Sequence, residues 1–125
     1  MILDTNAVSA LLGGDLSIEN VLGPDDRHHL PVIVVGEYLF GLLGSVDRSR
    51  VSSLFRKLIA ESIVLGVDLS TGESYAQVRF ELKQKGRPIP DNDLWVAALA
   101  RQHNLAVVSR DSHFDDVDGI QRISW

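Results

Sequence analysis

Met1-Ile2-Leu3-Asp4-Thr5-Asn6 opens the chain, and the reading of this stretch decides the fold. Two apolar residues run straight into an aspartate, a hydroxyl residue and an amide, followed by the helical run Ala7 to Leu12. Ile2-Leu3 reads as the buried end of a strand, with Asp4 where that strand stops. In an open α/β sheet the carboxyl ends of the strands face the crevice where ligands bind. A carboxylate placed there is partly desolvated and within reach of a metal ion or a substrate. The competing reading is that Asp4 or Asn6 only caps the next helix, a position both residue types favour.

Further along, the same alternation recurs. Gly13-Gly14 stops the first helix, and residues 15–22 make a second helical segment closed by Gly23-Pro24. Leu30 to Val35 is apolar and β-branched and reads as a second buried strand, with Pro31 near its start. From Gly36 to Leu43 the period turns helical, with Glu37 in the first turn. Ser45 to Glu61 is amphipathic, its stripe formed by Val51, Leu54, Phe55, Leu58 and Ile59. Ile63-Val64-Leu65 is a third strand. Ser70 or Thr71 caps the next helix, with Glu73 or Ser74 in its first turn. That helix carries Tyr75, Val78 and Leu82 inward and ends at Gly86. Arg87-Pro88-Ile89-Pro90 is extended, because each proline biases its predecessor away from helix. A helix from Asp93 to His103, a strand from Leu105 to Val108, an acidic loop Asp115 to Gly119 and an edge strand Ile120 to Ile123 complete the chain. The expectation is one α/β domain spanning 1–125, with a mainly parallel sheet of four to five strands and helices on both faces.

Composition agrees with an ordinary globular domain: 45% of residues are apolar and 23% charged. Without cysteine, disulfides and thiolate metal sites are excluded. No apolar run approaches the roughly 18–20 residues of a membrane span. Neither a leader nor an anchor is expected, and a cytoplasmic location fits. The net charge of −5 argues against a nucleic-acid partner. That argument fails if several acids share a site where bound cations reverse the local field.

Four acids recur at one structural position. Asp4 and Asp111 each follow a strand, Glu37 begins the helix after a strand, and Asp93 opens a helix after an extended segment. In a parallel sheet these points share one edge, so the topology allows the four carboxylates to converge. Alone they would repel and raise each other's pKa values. Mg²⁺ resolves this, taking oxygen ligands at about 2.0–2.1 Å and keeping several waters. Two such ions about 3.5–4 Å apart activate water and stabilise both oxygens of a phosphoryl displacement. The chemistry implied is metal-dependent hydrolysis of a phosphodiester.

Ile2-Leu3-Asp4-Thr5-Asn6, Gly36-Glu37-Tyr38-Leu39-Phe40-Gly41, the run Ile89 to Ala98, and Val108-Ser109-Arg110-Asp111-Ser112-His113-Phe114 together resemble the four motifs of PIN domains, most closely those of VapC-type toxins. The resemblance covers nearly the whole chain in order. It implies a three-layer α/β/α fold, Mg²⁺- or Mn²⁺-dependent endoribonuclease activity on tRNA or other structured RNA, a homodimer, and neutralisation by a VapB-type antitoxin. By the same resemblance Asp4 and Asp93 are central metal ligands, Glu37 binds metal or positions the attacking water, and Asp111 completes the site. Thr5, Asn6 and Ser109 support them.

Asp91 reads as a helix N-cap, with a contribution to a second metal as the alternative. Asp115 is an outside candidate near Asp111, although Asp115, Asp116 and Asp118 read first as a solvated turn. His28, His29, His103 and His113 lack zinc spacing, and His113 reads as a surface or capping residue that could help place substrate. Arg79, Lys83, Lys85 and Arg87 form either a solvated basic face at a helix end or a phosphate track for RNA, with Arg110 as a further phosphate contact. Tyr38, Phe40, Leu42 and Leu43, with the 51–59 stripe, supply more apolar surface than one small core needs. Two other readings stay open. A haloacid-dehalogenase-like phosphatase also begins with an apolar strand and an aspartate, but its second acid is here Asn6. A non-catalytic Mg²⁺-binding domain would want a lysine near the last strand, where Val107-Val108-Ser109-Arg110 offers none.

Overall fold

Ile2 and Leu3 form strand β1 (Ile2–Leu3) at the centre of the sheet in the computed structural model, which describes residues 1–46 and 48–125. The other strands are β2 (His29–Pro31), β3 (Ile63–Leu65), β4 (Val107–Val108) and β5 (Arg122–Ile123). Their order is β3-β2-β1-β4-β5 and every pairing is parallel. Among the described residues six α-helices flank the sheet: α1 (Thr5–Leu12), α2 (Leu16–Val21), α3 (Val32–Leu43), α4 (Arg48–Glu61), α5 (Leu69–Lys85) and α6 (Asp91–His103). A 3₁₀ turn covers Ser112–Asp116.

From β1 the chain builds outward through β2 and β3 on one side, and later through β4 and β5 on the other. The order therefore reverses between β1 and β4, which is where an open α/β sheet binds ligands. Register places Leu3 beside Val108, so Asp4 and Ser109 leave the sheet side by side. Ile2, Leu3, Val107 and Val108 are fully buried, as parallel central strands require. Each fully buried side chain of Val or Leu size contributes about 1.5–3 kcal/mol. Helix α6 buries Val96 to Ala100 entirely, and its small alanines let it lie close to α5.

Several boundaries depart from expectation. The strand expected from Leu30 to Val35 ends at Pro31, and Val32 to Val35 are helical. Pro31 holds φ −58°, ψ 139° and is the residue from which α3 starts. Burying Val34 and Leu42 on the inner face of α3 outweighs the modest β preference of valine and isoleucine. Glu37 consequently sits in the second turn of α3, not the first. Asp68, rather than Ser70 or Thr71, caps α5, as its carboxylate accepts from Thr71 N–H at 3.0 Å while Thr71 Oγ1 accepts from Asp68 N–H at 3.1 Å. Gly86 ends α5 in the left-handed region, φ 68°. Helix α6 starts two residues before Asp93, and Asp91 is its first residue, with Pro90 in the cap position. Strand β4 loses Leu105, whose N–H closes α6 on Ala100 O at 2.9 Å. The edge strand shortens to Arg122–Ile123 and Asp115-Asp116 join the 3₁₀ turn. Helix α4 is described from Arg48, and position 47 of the helix expected from Ser45 lies outside the described residues.

Candidate active site

Asp4 occupies the N-cap of α1, yet its side chain makes no capping bond. It turns into the crevice, 5% exposed, and accepts a hydrogen bond from Ser109 Oγ at 2.9 Å. The capping alternative thus holds for the backbone and fails for the carboxylate. Ser109 Oγ in turn accepts from Asp111 N–H at 3.0 Å and from Asn6 Nδ2 at 3.3 Å. Asn6 Nδ2 also reaches Asp4 Oδ2 at 3.5 Å, while Asn6 Oδ1 accepts from Arg110 N–H at 3.2 Å. One amide and one hydroxyl therefore lace the end of β1 to the end of β4.

Asp93, in the first turn of α6, comes in from the third side. Its Oδ2 lies 3.0 Å from His113 Nδ1, and the same nitrogen lies 2.9 Å from Asp111 Oδ1. Asp93, Asp111 and His113 each bring a ligand atom to within 4.8 Å of the others. Glu37 joins from α3, accepting from Thr5 Oγ1 at 3.3 Å. The four acids drawn from separate segments thus share one edge of the sheet, Glu37 through Thr5.

Electrostatics bear the mark of crowding. Burial, with the charges of Asp4 and Asp111 behind it, pushes the Asp93 carboxyl up to about 6 against the opposing bond from His113. Burial likewise raises Asp4, with Asp111 adding, although Thr5 N–H and Ser109 hold it back. His113 is raised in its turn, first by its bond to Asp93 and then by the nearby carboxylates. The donor set is rich in hard carboxylate oxygens, crowded and short of positive charge. It fits a divalent cation, with His113 lying between two of the carboxylates.

His113, expected at the surface or in a cap, instead bridges Asp93 and Asp111. The available signal was its place two residues after Asp111, which a 3₁₀ turn brings to the same side. His28 and His29 stand instead at the start of β2, away from the strand ends that carry the acids.

Other candidates fall elsewhere. Asp115 is clamped by Arg122 through two contacts of 2.8 Å, and Arg122 also donates to Ser109 O at 3.1 Å. Asp91 bonds the Tyr75 hydroxyl instead of acting as a cap. Lys85 pairs with Asp118 at 2.8 Å and Arg87 with Asp116 at 3.3 Å, so these two pin the 3₁₀ region. Arg110 lies over the Trp125 ring at 4.6 Å and reaches Asp15 at 3.7 Å. Of the basic strip, Arg79 and Lys83 have no carboxylate partner among the described residues.

Residues 1–120 match the PIN domain family. The chain belongs to that family. Ribonuclease VapC5 of Mycobacterium tuberculosis is 30% identical to this PIN domain over 122 residues, covering 94% of this chain and 87% of that protein. VapBC-1 from nontypeable Haemophilus influenzae contains a chain superposing with TM-score 0.83 at 28% identity, over 99% of this PIN domain and 96% of that chain. A chain of VapBC2 from Rickettsia felis, solved with a DNA fragment from their promoter, superposes with TM-score 0.89 over 99% and 97%. Its 23% identity carries the fold alone. The PIN domain is a nuclease, of the VapC ribonuclease kind.

Proposed function

We propose that this PIN domain is an endoribonuclease toxin that hydrolyses phosphodiester bonds of structured RNA, with Mg²⁺ or Mn²⁺ held by Asp4, Asp93 and Asp111. The observation that carries the reading is the meeting of these acids where the order of the sheet reverses. Bound there, the ion would activate water and offset charge on the phosphoryl oxygens. Each protein group has a defined part. Asp93, whose carboxyl burial pushes up to about 6, would be held as the carboxylate by a bound cation. Ser109 and Asn6 fix which oxygen of Asp4 faces the crevice. Glu37, which accepts a hydrogen bond from Thr5, would bind the ion directly or position the attacking water. His113, which bridges Asp93 and Asp111, would be freed by a bound ion to contact the phosphate.

Asn6 weakens the phosphatase alternative, since it binds Asp4 and Ser109 as an amide and supplies no second acid. We further propose neutralisation by a VapB-type antitoxin, a homodimer, and a cytoplasmic site of action. Supporting the first two, α3 leaves Phe40 79% and Leu43 69% exposed, an apolar patch of the kind that partners cover. Tyr38, by contrast, packs on Phe55 with ring centroids 4.5 Å apart. No helix among the described residues is long and apolar enough to cross a membrane.

The test is cleavage of structured RNA by purified protein. Cutting should need Mg²⁺ or Mn²⁺, and Asp4→Asn or Asp93→Asn should abolish it while circular dichroism stays native. Phosphate released from small monoesters with RNA left intact would establish the phosphatase instead. Metal binding with neither activity would leave only an interaction domain.

A further inference from the structure

On the side of α6 away from the acids lies a cavity of about 520 Å³, walled by α5, the extended link and the first turn of α6. Its floor is apolar: Leu82, Pro88, Ile89 and Leu94. Its polar groups are Arg79, Lys83 and Asp91. An apolar concave site with a few convergent polar groups is the ordinary make-up of a small-ligand site.

The polar groups are held apart in an unusual way. The Tyr75 hydroxyl donates to Asp91 Oδ1 and accepts from Arg79 Nη1 at 2.9 Å. Tyr75 itself is fixed by stacking on Trp95, centroids 4.0 Å apart and planes 18° apart. The acid and the guanidinium are thus spaced by one hydroxyl and do not pair directly. A carboxylate has lone pairs beyond the one Tyr75 uses, so Asp91 retains acceptor capacity toward the cavity. Lys83, without an ion-pair partner among the described residues, adds a second cation.

We propose that this cavity holds one unstacked guanine of the RNA strand, its neighbouring phosphate on Lys83 and Arg79. This rests on the ribonuclease reading above. The apolar lining offers a surface against which a base can pack, and the Arg79 guanidinium a plane on which it can stack. Guanine alone among the bases presents N1–H and N2–H side by side on its pairing edge, which two carboxylate oxygens accept together. Uracil and adenine would each set an acceptor against the carboxylate. Asp91 and Asp93 lie on opposite sides of the same helix start, about 10 Å apart by helix dimensions. A base held here therefore belongs to a nucleotide next to the scissile bond.

The test is binding without cleavage. The protein in EDTA is titrated with trinucleotides UGU, UAU, UCU and UUU, followed by ¹⁵N amide shifts. The UGU trinucleotide should shift the amides of Lys83, Ile89 and Leu94 and bind about tenfold tighter than the other three, as one bidentate base contact allows. Lys83→Glu should weaken all four together. Asp91→Asn, which turns one acceptor into a donor, should move the preference from guanine to adenine, with amide spectra confirming the fold. Equal shifts for all four bases, or shifts confined to other residues, overturn the proposal. So does an antitoxin segment seated in this cavity in a complex with the toxin. A protein that cuts RNA yet shows no base preference here loses only this inference. One that cuts no RNA loses the ribonuclease reading.

Discussion

His113 Nδ1 stands 3.0 Å from Asp93 Oδ2 and 2.9 Å from Asp111 Oδ1, so one imidazole nitrogen bridges two of the site's acids. Both groups are displaced toward the protonated side, the carboxyl by burial first and the imidazole by Asp93 first.

The first consequence concerns stability. The Asp93 carboxyl titrates at about 6 in the folded protein against 3.8 ordinarily. Between these values the folded chain holds a proton that the unfolded chain has released, so stability falls as pH rises through this window. Asp93→Asn removes that loss. In EDTA at pH 7 the variant should melt above the wild type, and near pH 4 the two should converge. Calorimetry decides it, and a wild type more stable at pH 7 would contradict the raised carboxyl.

The imidazole supplies a second. A histidine raised in the folded state stabilises below its ordinary pKa and loses that contribution as pH rises through the folded value. The His113 ring resonances should titrate above 6.5, the ordinary value. In Asp93→Asn the midpoint should fall. Saturating Mg²⁺ should lower it as well, since the cation competes for the same oxygens. An unchanged midpoint under both treatments would remove His113 from the site.

Ser109→Ala should act without touching metal or substrate. It deprives Asp4 of its 2.9 Å donor and frees the Asp111 amide. Loss of such an orienting partner typically costs roughly 10–100-fold in activity or metal affinity. The expected signature is a raised metal requirement with the native spectrum retained. Wild-type metal dependence would show the hydroxyl to be dispensable.

Thr71→Val tests the fold apart from the site. The fully buried Thr71 hydroxyl completes the cap of α5 and meets Gln102 Oε1 at 2.6 Å. Losing this part of the helix cap costs roughly 0.5–2 kcal/mol. Urea unfolding should show that loss, while cleavage at low temperature stays intact.

Much of this protein was readable from order and spacing alone. Short apolar runs alternating with helical periods determined a parallel α/β sheet, and an acid at each strand end or helix start determined which residues could meet. Local signals of this kind survive because burial and backbone hydrogen bonding act on neighbours in the chain. What the tertiary structure alone decided was partnership. Val32 to Val35 became helix because α3 had a face to bury, which no local β preference could foresee. Lys85 and Arg87 became braces for a distant acidic turn, and Asp115 went to Arg122. His113 came to stand between Asp93 and Asp111. Charges choose partners by distance in space, and that distance is set only when the strands stack in their final order.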